Sequence, residues 1–413
     1  MIFTHLIDLS YIFTLILTNT IYIYNLFINK EYHTPMTNPQ NKNLQIALLM
    51  VATLGIMSGI TIVSSLPLIS HTFSDIPNIE FLSKLMLTIP SIIIALFSPI
   101  AGHIIDKWGR LKPLYVGIAL FIVGGSSGFY LHDFYVILVG RAVLGFGVAL
   151  IMTSSTALIG DYFSEEVRHK IMSKQGMTTA LGGIVFISTG GLLAQMHWSY
   201  PFAIYLIPIL FVPFLLKSLY EPEKHKHVED LEVEPKLLPV YFTAFFVMVL
   251  FYMLPTQFPY LIVNDLGGEA QTVGFVIATA MTFNALTSMQ YAKIKGRFSY
   301  IQIYAATFTL FALGLFIISQ ATSIAGLYFA TAPIGMGFGL LFVNTNAWFL
   351  SRVPAHKRGK AAGVLTSSFF LGQFASPILF EPIVSAYGIQ MLFLIVSVVA
   401  MLVAIVLFIK ARS

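Results

Sequence analysis

Cysteine is absent from the 413-residue chain, and charged residues are scarce. Without cysteine the protein forms no disulfide, no thiolate metal site and no cysteine nucleophile. Asp, Glu, Lys and Arg make up only 10% of the residues, whereas about 25% is usual in a soluble domain. Hydrophobic residues reach 57%, more than a soluble fold of this length can bury. Lipid is therefore expected to be the solvent for most of the chain.

Sequence patterns for enzymatic chemistry are missing as well. No phosphate-binding Gly-x-x-x-x-Gly-Lys-Ser/Thr loop appears, so direct coupling to ATP hydrolysis is not expected. His225 and His227 lie in a charged segment, where a solvated loop is a simpler interpretation than a metal site. The sequence predicts no catalytic residue, no metal, no cofactor and no nucleic-acid partner.

Twelve apolar runs follow an N-terminal segment. A helix needs about 20 mainly apolar residues to span a bilayer, and each run reaches about that length. Twelve transmembrane helices are predicted near residues 44–68, 82–105, 113–131, 135–158, 171–194, 198–219, 237–262, 271–292, 299–319, 324–349, 360–381 and 387–409.

The segments between these runs alternate in charge. One side of the membrane, the basic face, carries most of the Lys and Arg residues; the other, the acidic face, carries Lys84 and several carboxylates. Because Lys and Arg accumulate in cytoplasmic loops, the basic face is predicted to be cytoplasmic. The chain is expected to be a multi-pass protein of a bacterial cytoplasmic membrane, with both ends of the twelve-helix core inside the cell.

Polar segments divide the chain further. Residues 1–43 are interpreted as an N-terminal segment, which is either an accessory helix or lies upstream of a biological start at Met36. A mixed-charge linker at 220–236 separates a six-helix bundle at 44–219 from a second bundle at 237–413.

An internal repeat supports this division. The dipeptide Gly109-Arg110, after the second run, recurs as Gly296-Arg297 after the eighth. Two homologous six-helix halves around a midplane site are typical of transporters. The sequence therefore predicts an all-α polytopic membrane protein with two six-helix bundles around a central cavity.

A motif lies on the basic face between the second and third runs. Its residues are Gly102, Asp106, Lys107, Gly109 and Arg110. The pattern resembles the signature loop of the major facilitator superfamily of transporters. This resemblance, which covers the whole twelve-helix core, implies the major facilitator fold, a small-molecule substrate, protons as the coupling ion and a monomeric protein.

The resemblance also implies a conformational latch. In the superfamily the acid of this loop faces the start of the eleventh helix, which here carries Arg358 and Lys360. An unpaired carboxylate at the membrane edge is costly, whereas a helix N-terminus and basic side chains stabilise it. Asp106 is therefore expected to hold the basic-face ends of the two bundles together.

Arg141 lies well inside the fourth run. Residues 140–147 around it resemble the second motif of the superfamily, and a buried guanidinium should face acceptors inside the bundle. Thr61, Ser64 and Ser65 are at similar depth. Two interpretations stay open: Arg141 binds a substrate carboxylate or influences a proton site, or it is a structural arginine satisfied by hydroxyls and carbonyls.

Other polar residues within the spans are candidates for lining the central cavity, although amides at this depth also serve as links between helices. These candidates are Thr61, Gln257, Asn284, Asn344, Asn346 and Gln373. No Asp or Glu lies near the middle of a core span. Selectivity for cations is therefore not supported, and a neutral or anionic substrate fits better.

Two features resemble the twelve-helix drug and metabolite efflux branch, whose members are drug:proton antiporters. The first run ends in Ser-Leu-Pro at 65–67, and the fifth contains glycine pairs at 182–183 and 190–191. The antiporter motif has Gly-Pro where this chain has Phe-Ile at 186–187, which weakens the assignment to export. Close helix packing is the simpler use of the glycine pairs.

The leading hypothesis is secondary active export of a small organic solute by alternating access. An uptake permease for an organic acid or sugar is the rival within transporters. A membrane-embedded enzyme and a transporter-like sensor are the other classes, and both rank below transport because the loops are short and hold no catalytic cluster.

Overall fold

A computed structural model describes residues 42–163, 165–222, 237–352 and 358–411 of the chain. Most of the predicted N-terminal segment and residues 223–236 of the predicted linker lie outside these ranges. Within them, twelve helices are long and apolar enough to cross a membrane, as predicted. They are α1 (Lys42–Thr72), α2 (Ile79–Trp108), α3 (Leu111–Tyr130), α4 (Phe134–Tyr162), α5 (Lys174–Met196), α6 (Tyr200–Ser218), α7 (Leu238–Asp265), α8 (Ala270–Lys295), α9 (Tyr300–Ser319), α10 (Ile324–Phe349), α11 (Gly363–Tyr387) and α12 (Ile389–Lys410).

Three of these helices extend beyond the apolar span at the basic face. The helix of α5 begins at Glu165, that of α10 continues to Arg352, and that of α11 begins at Arg358. These helix ends contain polar residues and lie beyond the apolar span, where the helix and its backbone hydrogen bonds continue into the interfacial region.

Short sequence signals set several helix ends. Asp133 precedes α4 and accepts a hydrogen bond from the backbone N–H of Val136 at 2.9 Å. Ser299 and Gln302 form a capping box at the start of α9. Both arrangements satisfy N–H groups that the first turn of a helix leaves without a partner.

Proline and an altered turn interrupt two helices near the acidic face. In α1, helix Lys42–Ile60 gives way to a 3-10 turn at Val63–Ser65 before helix Leu66–Thr72 begins, with Pro67 in its first turn. Proline has no N–H to donate, so the first turn of a helix, where that N–H has no partner within the helix, is a favourable position for it. In α7 a π-helical turn, Leu261–Asp265, follows the regular helix.

The two halves pack in parallel ways. In the first half α1 packs on α5, and α4 packs on both α2 and α3. In the second half the matching pairs recur, because α7 packs on α11, and α10 packs on both α8 and α9. The structure therefore has the predicted fold class of two six-helix bundles.

The most extensive contacts between the halves are those of α5 with α8 and of α2 with α11, and the acidic-face end of α1 also meets α7 and α8. Glycines let α5 approach its neighbours closely, since a Cβ on Gly190 would collide with the carbonyl oxygen of Thr61 in α1. A Cβ on Gly191 would lie 3.1 Å from the carbonyl oxygen of Ala270 in α8. The glycine pair at 190–191 therefore serves close packing.

Candidate functional site

The central helices α1 and α7 differ in burial between their two ends. Every residue from 60 to 67 in α1 and from 252 to 262 in α7 is buried. Toward the basic face, buried positions in both helices alternate with half-buried and exposed ones. The halves are thus closed on each other at the acidic face and less closely packed at the basic face.

Polar contacts join the halves at the acidic face. Lys84 in α2 donates to Glu381 in α11, with 2.9 Å between Nζ and Oε2. The hydroxyl of Tyr260 in α7 lies 2.8 Å from the Oγ of Ser70 in α1. These contacts, together with the buried ends of α1 and α7, form the region we call the acidic-face seam.

A second set of contacts joins α2 and α11 deeper in the bundle. Ser91 in α2 donates to the amide oxygen of Gln373 in α11 at 2.8 Å. Ser367, further along α11 toward the basic face, donates to the carbonyl oxygen of Ala95 at 3.3 Å. Gln373 is half-buried, so it lies at the boundary between the closed and the more open part of the bundle.

The cavity candidates fall into three groups in the structure. Gln373, Asn284 and Asn346 are half-buried, as residues lining an open cavity would be. Asn344 is fully buried and bridges three helices, because it accepts from Tyr291 Oη at 2.9 Å and donates to the carbonyl oxygen of Tyr300 at 3.1 Å.

Thr61 and Gln257 are fully buried in the acidic-face ends of α1 and α7. The Thr61 hydroxyl donates to the carbonyl oxygen of Met57 in its own helix at 2.6 Å. Neither polar atom of the Gln257 amide has a hydrogen-bond partner among the described residues. In the state shown, both residues lie inside the acidic-face seam and not on a cavity surface.

Arg141 is fully buried and bound by protein oxygens. Its Nε donates to the carbonyl oxygen of Met86, its Nη1 to the hydroxyl of Tyr205 and its Nη2 to the carbonyl oxygen of Ser58, each at 3.0 Å. The guanidinium also lies over the Tyr205 ring, 5.4 Å from its centroid. The acceptors are therefore two carbonyls and a tyrosine, whereas the hydroxyls of Ser64 and Ser65 make no hydrogen bond among the described residues.

The loop motif at the basic face forms a charge network within the first half. Arg110 donates from Nη1 to Asp106 at 2.9 Å and from Nε to Asp161, at the end of α4, at 3.0 Å. Partial burial by itself would lower the pKa of Arg110, but the hydrogen bonds and charges of Asp161 and Asp106 outweigh it. The pKa of Arg110 is therefore raised from its ordinary value.

Glu221 completes this network after α6. Its carboxylate accepts from the backbone N–H of Arg110 at 2.5 Å and of Leu111 at 2.9 Å. Two free N–H groups and a helix dipole make the start of α3 a favourable place for a carboxylate. Gly109 has a φ of 91° and leaves room for Glu221, since a Cβ there would lie 2.6 Å from Oε1.

The partner proposed for Asp106 is not placed by the structure. The helix containing α11 starts at Arg358, but the side chains of Arg358 and Lys360 lie outside the described part. A Cβ on Gly102 would meet no heavy atom within 4 Å among the described residues. Lys107 is exposed.

Comparison with known proteins decides the family. The sequence model of the Major Facilitator Superfamily matches residues 46–240 and 240–413. The chain belongs to the major facilitator superfamily. It is accordingly a membrane transporter for small molecules and not an enzyme, and the resemblance of the loop motif is confirmed.

Several relatives are named as drug-resistance proteins. The chain is 22% identical over 293 residues to "Multidrug resistance protein 1" of Bacillus subtilis, covering 68% of this chain and 75% of that protein. It is 21% identical over 297 residues to "Quinolone resistance protein NorA" of Staphylococcus aureus (strain N315), covering 69% and 76%.

Solved transporter structures share the fold. A bacterial homologue of the human lysosomal transporter Spinster, in an inward-facing and occupied conformation, aligns with a TM-score of 0.73 at 14% identity. That alignment covers 91% of this chain and 97% of the homologue. A D-xylose-proton symporter aligns with a TM-score of 0.67 at 18% identity, over 88% and 97%.

Several residues of the site were not singled out from the sequence. Tyr205, Tyr260 and Glu221 are ordinary aromatic and acidic residues in their local sequence. The partners described above for these residues lie 64 or more residues away along the chain. Lys84 carried the one available signal, because it is a cation on the otherwise acidic face.

Proposed function

We propose that the protein exports small organic solutes, drugs or metabolites, from the cytoplasm in exchange for protons by alternating access. The observation that carries the proposal is the unequal burial of α1 and α7, which are closed at the acidic face and more open at the basic face. With the basic face in the cytoplasm, this is the state in which an exporter takes up its substrate. The names of two relatives, a multidrug resistance protein and a quinolone resistance protein, support export as the direction of transport, because export of a drug confers resistance to it.

The substrate class follows from the residues available at the open end. The half-buried polar candidates are Asn284, Asn346 and Gln373, which are uncharged amides. Arg141 has each of its three guanidinium nitrogens bonded to a protein oxygen. We propose that the substrate is largely apolar and is bound through amide hydrogen bonds and aromatic walls, without a buried charge partner.

Transport by inside-out membrane vesicles tests the direction and the coupling. Vesicles containing the protein are expected to accumulate hydrophobic drugs or metabolites only when a proton gradient, acidic inside, is imposed. Vesicles containing Asp106→Asn serve as a folded control with impaired transport. Uptake by right-side-out vesicles, with no accumulation in inside-out vesicles, would show the chain to be an uptake permease instead.

Gln373→Ala is expected to weaken binding of the transported substrate by about tenfold, because one buried hydrogen bond to a neutral group is lost. The comparison variant is Asn344→Ala, which removes an amide bound entirely by protein groups and should lower stability without this selective effect. Dissociation constants in detergent and melting temperatures of both variants check the prediction. Unchanged affinity in Gln373→Ala would remove that residue from the proposed site.

A further inference from the structure

One link between the halves at the acidic face is an ion pair with unequal burial. Lys84, from the first half, has no exposed side-chain surface, whereas 22% of the Glu381 side chain, from the second half, is exposed. The Lys84 ammonium also lies 5.0 Å from the centroid of the Tyr260 ring. A cation this deeply buried needs its partner, because an unpaired charge in such a place is far costlier than an unpaired exposed one.

Tyr260 adds a second link close to the ion pair. Its hydroxyl lies 2.8 Å from Ser70 Oγ, 3.4 Å from the carbonyl oxygen of Leu66 and 3.3 Å from that of Glu80. Ser70 donates in turn to Ser83 at 3.1 Å. One tyrosine of α7 thus holds the ends of α1 and α2 from across the boundary between the halves.

A layer of unsatisfied polar groups is buried beneath these links. The hydroxyls of Ser64 and Ser65 and both polar atoms of Gln257 have no hydrogen-bond partner among the described residues, and all three side chains are fully buried. A Cβ on Gly59 would lie 2.6 Å from Tyr252 Oη, and Tyr260 contacts Leu66. Because α1 and α7 run in the same direction, Gln257 lies at about the depth of Ser64.

These two features oppose each other energetically. Burying a polar group without a hydrogen bond is unfavourable, so the layer formed by Ser64, Ser65 and Gln257 disfavours the closed state relative to a state in which water reaches these groups. The ion pair and the Tyr260 hydrogen bonds favour closure. The two states of a transporter must be similar in free energy, because the cycle stops if one state is much more stable than the other.

We propose that Lys84 and Glu381 form the latch that closes the acidic-face seam. Ser64, Ser65 and Gln257 lower the stability of this closed state, so that the seam can open. The inference rests on the proposed alternating access, in which the seam opens to release substrate outside. It specifies which residues set the balance between the two states.

Unequal burial makes the effect of each substitution distinct. Glu381→Gln leaves the fully buried Lys84 ammonium without a counter-charge in the closed state. Lys84→Met leaves a carboxylate that already has access to water. The open state of the acidic-face seam should therefore be more populated in Glu381→Gln than in Lys84→Met. Gln257→Leu removes unsatisfied polar atoms and should therefore shift the equilibrium toward the closed seam.

The experiment uses the absence of native cysteine in the chain. Ser65→Cys places a thiol inside the seam, and Ser74→Cys places one at an exposed position of the acidic face as the control. Right-side-out vesicles are treated with a membrane-impermeant maleimide, and the labelling rate of each thiol is measured. The rate at residue 65, relative to that at residue 74, reports seam opening without reference to any substrate.

In the Ser65→Cys background, Glu381→Gln is expected to raise the relative labelling rate by about tenfold or more. Lys84→Met should raise it less, and the charge exchange Lys84→Glu with Glu381→Lys should return it toward the starting value. Gln257→Leu should lower it by several-fold. These rates do not depend on the transport direction, so they test the latch separately from export.

Two results would overturn the proposal. Equal labelling in all variants would show that the ion pair does not control the seam. A higher labelling rate in Gln257→Leu would show that the buried amide stabilises closure. If Glu381→Gln does not fold, Lys84→Met and Gln257→Leu still predict shifts in opposite directions.

Discussion

Arg141→Ala is expected to lower the stability of the folded protein by about 3 kcal/mol or more. The substitution leaves the carbonyl of Met86 and the hydroxyl of Tyr205 without the guanidinium donor, and the carbonyl of Ser58 keeps only the hydrogen bond from the Tyr205 hydroxyl. All of these groups are buried, so water cannot replace the guanidinium at low cost. The side chain also fills volume at the junction of α1, α2, α4 and α6, and its removal leaves a cavity.

Thermal unfolding in detergent measures this effect. Tyr205→Phe is the graded comparison, because it keeps the ring and removes only the hydroxyl, which accepts from Arg141 and donates to the carbonyl oxygen of Ser58. It should cost about 1 kcal/mol. Arg297→Ala, at an exposed position of the basic face, is the control for loss of a positive charge and should leave the melting temperature nearly unchanged. The expected order of destabilisation is Arg141→Ala, then Tyr205→Phe, then Arg297→Ala.

The same variants separate the two interpretations that the sequence left open for Arg141. A structural arginine predicts lower stability together with unchanged substrate affinity in the protein that remains folded. A substrate-binding arginine predicts the reverse, a normal melting temperature with weakened binding of anionic compounds. The reverse result would require the guanidinium to exchange its protein partners for substrate during the cycle.

The class of protein and the number of spans were predictable because each depends on summed local properties. Apolar run length predicts which segments can span a membrane, and the alternation of charge predicts on which side each loop lies. The loop motif is also local, so Gly102, Asp106, Gly109 and Arg110 were recognisable in one short segment. These features need no knowledge of which helices touch.

The partners of individual side chains were not predictable in the same way. Asp106 is bonded to Arg110 in its own loop, and Asp161 and Glu221 complete the network from distant segments. The predicted contact of Asp106 with Arg358 and Lys360 stays a prediction. The structural interpretation of Arg141 expected hydroxyls and carbonyls as acceptors, and the acceptors are two carbonyls and the hydroxyl of Tyr205. Backbone carbonyls are present at every residue, so no sequence pattern marks the ones that a buried arginine will use.

The cavity candidates show the same limit. Six polar residues looked equivalent in sequence, yet Asn344 is bound within the second half, Gln257 is buried in the acidic-face seam, and Gln373 lies at the edge of the open end. Depth in the membrane is readable from the sequence, whereas the direction in which a helix faces depends on tertiary packing.

Replacing Asp161 with Asn is expected to be more destabilising than replacing Asp106 with Asn. Both carboxylates accept from Arg110, but 11% of the Asp161 side chain is exposed, compared with 55% for Asp106. The loss of stability on breaking an ion pair rises with burial. Exposed pairs contribute about 0–1 kcal/mol, whereas breaking a buried pair costs about 3–5 kcal/mol. Asp161→Asn should therefore lower stability by about 2 kcal/mol or more, and Asp106→Asn by less than about 1 kcal/mol.

Transport and stability should then separate in the two variants. Asp106→Asn is expected to fold normally and to lose most of its transport. The basic-face latch predicted for Asp106 contributes to the balance between conformations and not to the stability of the first half. Lys112→Ala, an exposed charge two residues beyond Arg110, is the matched control and should keep both properties. Melting temperatures and vesicle transport of the three variants make the comparison. Full transport by Asp106→Asn would leave the carboxylate with only its local bond to Arg110, and the control of the basic-face closure would then have to lie in other residues.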